Sequence, residues 1–169
     1  SGSESVILMP FEDAAPDSAT NECRVTRNYY AGDSILSSLN FPSDVTFTND
    51  QRPRLVVEEA AGYEVSRTYY AYFSGYAVTK QCRSSGAAYD DVSNLVSTTY
   101  FNTNGVGNGR PSRIEHANGT LTAFSYDYDS GADQLTTTED NGAGTTSVTN
   151  GTRTATIRNA ADLVLSTTM

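Results

Sequence analysis

The chain has 169 residues, a formal net charge of −9, 18% charged and 37% hydrophobic residues, a length that suits one ordinary domain with a real core. The acidic balance, with Lys80 the single lysine, argues against nucleic acid and anionic membranes as partners, because phosphate binding draws its affinity from Lys and Arg. No run approaches the ~20 apolar residues of a membrane span, and the abundance of Thr, Ser, Gly and Asn suits strands and turns.

In chain order, residues 1–21 carry Pro10, Pro16 and the acidic cluster Glu12, Asp13 and Asp17, which predicts an irregular lead-in. Val6-Ile7-Leu8-Met9 lacks the basic flank of a signal peptide. Residues 22–169 are expected to form a single all-β repeat domain. Arg24 to Tyr30 reads as its first strand and Val45 to Thr48 as the next. Asp33 to Leu39 is the one helix candidate and is short for a helix. A longer pair follows: Arg54 to Glu59, a turn at Ala60-Ala61-Gly62, and Tyr63 to Tyr72. The same design returns as Arg110 to His116, a turn at Ala117-Asn118-Gly119, and Thr120 to Tyr128, about 57 positions on.

Asn-Gly dipeptides begin at Asn104, Asn108, Asn118, Asn141 and Asn150. Each fits a type I′ turn between twisted antiparallel strands, with Gly119 at positive φ. The segment Tyr89-Asp90 through Leu95 to Thr99 is repeated by Tyr128-Asp129 through Leu135 to Thr138. In each copy an aromatic and an aspartate are expected to end one strand, before a turn and a Leu-led Thr run. The last run, Ala161 to Met169, is a further copy of that strand and predicts a piece of a longer array with an exposed apolar edge. The fold expected is all-β, a sheet of consecutive antiparallel hairpins, curved and open or partly spiralled.

This order of Tyr-Asp, short turn, Leu, Ser/Thr run, Asn-Gly and Tyr-x-Tyr-Asp resembles the YD repeat of RHS proteins over roughly residues 45 to 169. The toxin-complex shells and teneurin ectodomains carry such repeats. The resemblance implies a structural module of a large secreted or cell-surface polypeptide, a scaffold or shell wall that in some members encloses a toxic payload. Its motif residues here are Tyr89, Asp90, Leu95, Gly119, Tyr126, Tyr128, Asp129 and Leu135. Ser93-Asn94 and Asp133-Gln134 stand where Gly-Arg usually precedes the Leu, and these residues hold no Asp-Pro-rich autoprotease segment. Self-cleavage is therefore not implied for them.

Little chemistry accompanies the architecture, and neither catalysis nor a cofactor is expected. His116 is the only histidine and lies beside a turn without a nucleophile motif. Glu58-Glu59 and Asp90-Asp91 are adjacent in sequence, so on a strand they face opposite ways. Asp127, Asp129 and Asp133 surround Gly131 in the manner of a weak Ca²⁺ loop, though the repeat needs the same residues to turn. Cys23 and Cys82 form a disulfide or remain free thiols. Tyr70, Tyr72, Tyr126 and Tyr128 recur at period two and predict one aromatic face packing across neighbouring strands, buried at Tyr126 and Tyr128. Exposed tyrosines would instead suit an alternative role as a carbohydrate-binding or adhesive β-domain. The expected partners are adjacent repeats of the parent protein, or a second copy through the exposed edge.

Overall fold

The computed structural model describes residues 5–10, 23–42 and 51–169. The fold is all-β, built from consecutive antiparallel strands with one short helix. The chain gathers into two compact units, Ser1–Val96 and Ser97–Met169.

In the first unit, β1 (Ser5–Pro10), β2 (Cys23–Tyr29), β3 (Leu55–Ala60), β4 (Tyr63–Phe73) and β5 (Tyr76–Gln81) pair in chain order. β1 lies within the segment expected to be irregular; its run Val6 to Met9 pairs with Arg27 to Arg24, and Pro10 falls at its end, where a missing N–H is tolerated. The expected strand at Val45 to Thr48 lies outside the described residues.

One face of this sheet is apolar. Leu55 and Val57 on β3 stand beside Tyr69 and Ala71 on β4, all nearly inaccessible, and Leu55 pairs directly with Tyr69. The cover is a helical turn and not a second sheet: α1 (Ser34–Ser38) is only five residues long yet places Leu36 into the cluster, flanked by Ile35, Leu39 and Phe41. So short a helix is held by packing and not by its own propensity. The buried register of β4 is therefore the odd one. Tyr70 and Tyr72, expected in an aromatic face packed across neighbouring strands, are half-buried on the face opposite the core, where Tyr72 lies under the guanidinium of Arg52 at 3.9 Å.

In the second unit, β6 (Leu95–Phe101), β7 (Pro111–Glu115), β8 (Thr120–Asp129), β9 (Gln134–Gly144), β10 (Val148–Asn159) and β11 (Val164–Thr168) also follow chain order, and the unit boundary falls within β6. β8, β9 and β10 are long and paired over most of their length.

The turns obey other chemistry than expected. Gly119 holds φ of +81°, but Asn118 does not join it on the positive side. The Gly119 N–H donates to the His116 carbonyl and the His116 N–H to the Thr120 carbonyl, which makes a type I turn closed by a left-handed glycine. Asn118 instead uses its side-chain oxygen to accept from the Thr120 N–H at 3.0 Å. The two-residue turn with both residues left-handed is Ala61-Gly62, at φ of +50° and +77° between the paired Ala60 and Tyr63.

Asn141-Gly142 and Asn150-Gly151 are not turns at all. They lie inside β9 and β10, where Gly142 faces Gly151 across the ladder. A Cβ on Gly142 would collide with the Asn150 carbonyl, and one on Gly151 with that of Asn141. Only glycine lets the two backbones come this close. Gly151→Ala is expected to lower stability by about 2 kcal/mol or more through forced separation of the strands, seen as a lower urea midpoint; an unchanged midpoint would refute the close approach.

Candidate functional site

A nearly buried ion pair in the first unit owes its existence to a bulge. On a regular strand, residues three apart point to opposite faces. Between β3 and β4, however, Glu58 opposes Ser66 and Glu59 opposes Glu64, leaving Val65 as an extra residue. Glu64 is thereby turned to the face of Arg67, and the guanidinium donates two hydrogen bonds to its carboxylate, at 2.9 and 2.8 Å. Both side chains are nearly buried, at 10% and 13% exposure for Arg67 and Glu64. The Gly86 N–H adds a third hydrogen bond to Glu64. Arg67 lowers the pKa of this carboxyl against the opposing effect of burial. Arg67 also reaches the Tyr69 hydroxyl at 3.3 Å, and that hydroxyl donates to the Ala87 carbonyl at 2.7 Å. The pair thus fastens the segment after β5 over the core.

A cleft of about 150 Å³ adjoins this group, lined by Glu64, Arg67, Cys82, Arg83, Ser84 and Ser85 among others. Cys82 is a free thiol whose pKa is pushed up by burial, the opposite of what activates a nucleophile. The disulfide with Cys23 does not form. Cys82 bonds through its N–H to Arg67, which pairs with Val57, which pairs with Arg27. Cys23 is therefore three strands away, roughly 14 Å, and further along its strand, whereas a bridge needs Cα atoms within about 7 Å.

The second unit holds a directed polar chain. His116 Nε2 lies 2.8 Å from Thr122 Oγ1, Thr122 donates to Asn141 Oδ1 at 2.6 Å, and Asn141 Nδ2 donates to Glu139 Oε1 at 2.7 Å. Glu139 as a carboxylate only accepts, which fixes the orientation of the Asn141 amide; the amide oxygen then takes the single proton of Thr122. His116 must consequently present Nε2–H to the Thr122 oxygen. Thr122 is 5% exposed, so its hydroxyl is a buried link and not an accessible nucleophile.

The repeat residues do not converge on one point. Tyr89 and Asp90 end no strand; they lie in the loop after β5. Tyr89 packs edge-on against Phe41 and Tyr69, and Lys80 lies 3.8 Å above its ring while donating to its carbonyl. Asp90 accepts from Asn40, and it is Asp91 that closes the turn by accepting from the Ser93 N–H. Leu95 opens β6, half-buried. Leu135 is half-buried opposite Tyr128 and Arg158.

Tyr126 and Tyr128 share a face, but only the first is covered. Gly107 approaches the Tyr126 ring and its hydroxyl donates to the Pro111 carbonyl. Tyr128, two residues further on, is 46% exposed and donates to Asp133. The expected buried aromatic face is thus limited to Tyr126.

The aspartates proposed for Ca²⁺ are already engaged: Asp129 accepts from the N–H groups of Gly131 and Ala132, and Asp133 from Tyr128. Asp127 stands exposed on β8. No group of three or more His, Cys, Asp or Glu among the described residues could hold a metal ion.

Sequence reading missed Arg54, Asn94 and Thr122, all buried despite their polarity. Asn94 ties the loop down by donating to the carbonyls of Ala88 and Tyr89. No family model matches the chain, and no curated protein or solved structure is detectably similar to it.

Two measurements test these assignments. Glu64→Gln is expected to cost about 2 kcal/mol at pH 7 by leaving Arg67 enclosed without its counter-charge. Because the folded-state pKa of Glu64 is lowered, its contribution is complete above the ordinary glutamate range and fades as pH falls through the lowered value. The gap between wild type and variant should therefore narrow in acid; a gap independent of pH would remove the ion pair as its cause. Thr122→Val keeps the shape but breaks the polar chain, with an expected cost of about 2 kcal/mol. Nitrogen NMR of the neutral His116 ring should report the Nε2–H tautomer in wild type, and a dominant Nδ1–H form would reverse the direction deduced for the chain.

Proposed function

We propose that the chain is a non-catalytic structural module of the YD-repeat kind, part of a scaffold or shell wall in a large secreted or cell-surface protein. The observation that carries this reading is a repeated register. On β9, Thr138, Thr137 and Thr136 oppose Ala155, Thr156 and Ile157 of β10. On β11, Thr168, Thr167 and Ser166 oppose the same three residues from the other side.

The turns leading into both strands are also alike. Asp129 caps its turn through the Gly131 N–H, and Asn159 does so through the Ala161 N–H. Each turn ends in a left-handed aspartate, Asp133 at φ of +54° and Asp162 at +60°. Such a chain spends its sequence on reiterating turn and ladder, with polar groups tied to neighbouring strands and not gathered around a reacting centre. Adjacent repeats of the parent protein are the partners this reading supplies.

A glycan array read with saturation binding tests it. The expected result is no saturable binding to any sugar. A saturable isotherm, abolished by replacing the exposed Tyr63 or Tyr128 with Ala, would replace the scaffold with a carbohydrate-binding or adhesive domain.

A further inference from the structure

We infer that Asn118 is an N-glycan acceptor, taking an oligosaccharide from a lipid-linked donor onto its side-chain nitrogen. This rests on the secreted or cell-surface part of the proposed reading, since such donors are offered to chains that enter a secretory lumen. Asn-x-Ser/Thr, with x other than Pro, is the acceptor sequence, and it occurs twice here, at Asn118-Gly119-Thr120 and Asn150-Gly151-Thr152. The two triplets are folded in opposite ways.

Asn118-Gly119 lies in the turn between β7 and β8, and residues 117–120 are all exposed. Asn118 Oδ1 accepts from the Thr120 N–H at 3.0 Å and from the Thr120 hydroxyl at 2.8 Å. A backbone N–H can only donate, so the atom it meets is the amide oxygen and the nitrogen is the other arm of the side chain. That Nδ2 makes no hydrogen bond within the described residues. The hydroxyl that the acceptor sequence requires is thus already gathered against the amide, and the nitrogen that must react is left open to an enzyme. In the transfer, Nδ2 displaces the lipid diphosphate from the anomeric carbon of the first sugar. A C–N bond forms, the C–O bond to the diphosphate breaks with its electron pair leaving on the phosphate, and one Nδ2 proton passes to a base of the transferase. The two hydrogen bonds into Oδ1 draw electron density from the amide and favour loss of that proton.

Asn150-Gly151-Thr152 is held straight. These residues pair with Ala143, Gly142 and Asn141 of β9, and the two glycines leave no room for a Cβ on either. Along an extended strand, residues two apart are separated by about 7 Å at Cα, and bending this triplet into a turn would pull it out of the ladder. Exposure does not separate the two sites, since Asn150 is exposed as well. Backbone conformation does, so Asn118 is the occupied site and Asn150 the bare one.

The test is secretion of the full chain from cultured human cells behind a cleavable signal peptide. Intact glycopeptides are read by mass spectrometry, so that Asn-Gly deamidation is not counted as an occupied site, and chain retained in the cell is read from the microsomal lumen in the same way. Wild type is expected to carry a glycan on Asn118 and none on Asn150. Thr120→Ala should abolish the glycan, whereas Thr120→Ser, which restores the hydroxyl, should keep it. Residue 120 is exposed, so both variants should fold.

A chain that is bare at Asn118 overturns the proposal, and so does a glycan at Asn118 that survives Thr120→Ala. Equal occupancy of Asn118 and Asn150 overturns the turn as what selects the site. None of these results touches the scaffold reading, which saturable sugar binding on the glycan array removes whatever Asn118 carries.

Discussion

Everything in the first unit depends on covering one face of a sheet with very little material. A sheet with an apolar face must bury it against another layer, and here that layer is five residues of helix and the loop after β5. Tyr69 is the hinge of this solution, since its ring is inaccessible while its hydroxyl holds the Ala87 carbonyl. The Arg67–Glu64 pair holds the same loop from the side through Gly86. Loss of any one of these ties would uncover Leu55 and Val57 and not merely loosen a loop.

The charges complete the picture. Most arginines of the described residues are committed internally, to Glu58, Glu59, Glu64, Glu115, Asp140 and Asp162 or to the rings of Tyr72 and Tyr126. The lone lysine is spent on Tyr89, and burial lowers its pKa. The positive charges therefore work as local fasteners, across strands at Arg24, Arg27 and Arg153 and within one strand or its turn at Arg67, Arg113 and Arg158, and the field the molecule shows to solvent is that of its surplus carboxylates. Among the described residues, Arg83 makes none of these contacts.

Fold class could be read from the sequence because period-two runs and Gly-containing turns report local geometry directly. The duplicated hairpin and the Leu-led Thr runs were visible for the same reason. What escaped was everything decided by a third body. Which face of β4 is buried depends on α1, which precedes β3 in the chain and is no neighbour of β4 in sequence. The register change at Val65 cannot be seen in a strand considered alone, and with it went the ion pair of Glu64 and Arg67. Asn141-Gly142 and Asn150-Gly151 have the composition of turns, yet the strands they occupy run through and the glycines serve interstrand distance. The loop role given to Asp90 belongs to its neighbour Asp91, since a single-residue shift in a turn leaves no trace in composition.

The two kinds of Asn-Gly site also age differently. Deamidation of asparagine begins when the backbone nitrogen of the following residue attacks the side-chain carbonyl carbon, expelling ammonia through a cyclic imide. That closure needs a backbone free to bend. Asn141 and Asn150 sit in extended, paired strands, and the Asn141 amide is further held between Thr122 and Glu139. Asn104 and Asn108 sit in the loop between β6 and β7, each followed by a glycine at positive φ. Slow chemical damage will therefore gather in that loop and in the Asn118-Gly119 turn, adding negative charge near the cover of Tyr126 while the long strands keep their original side chains.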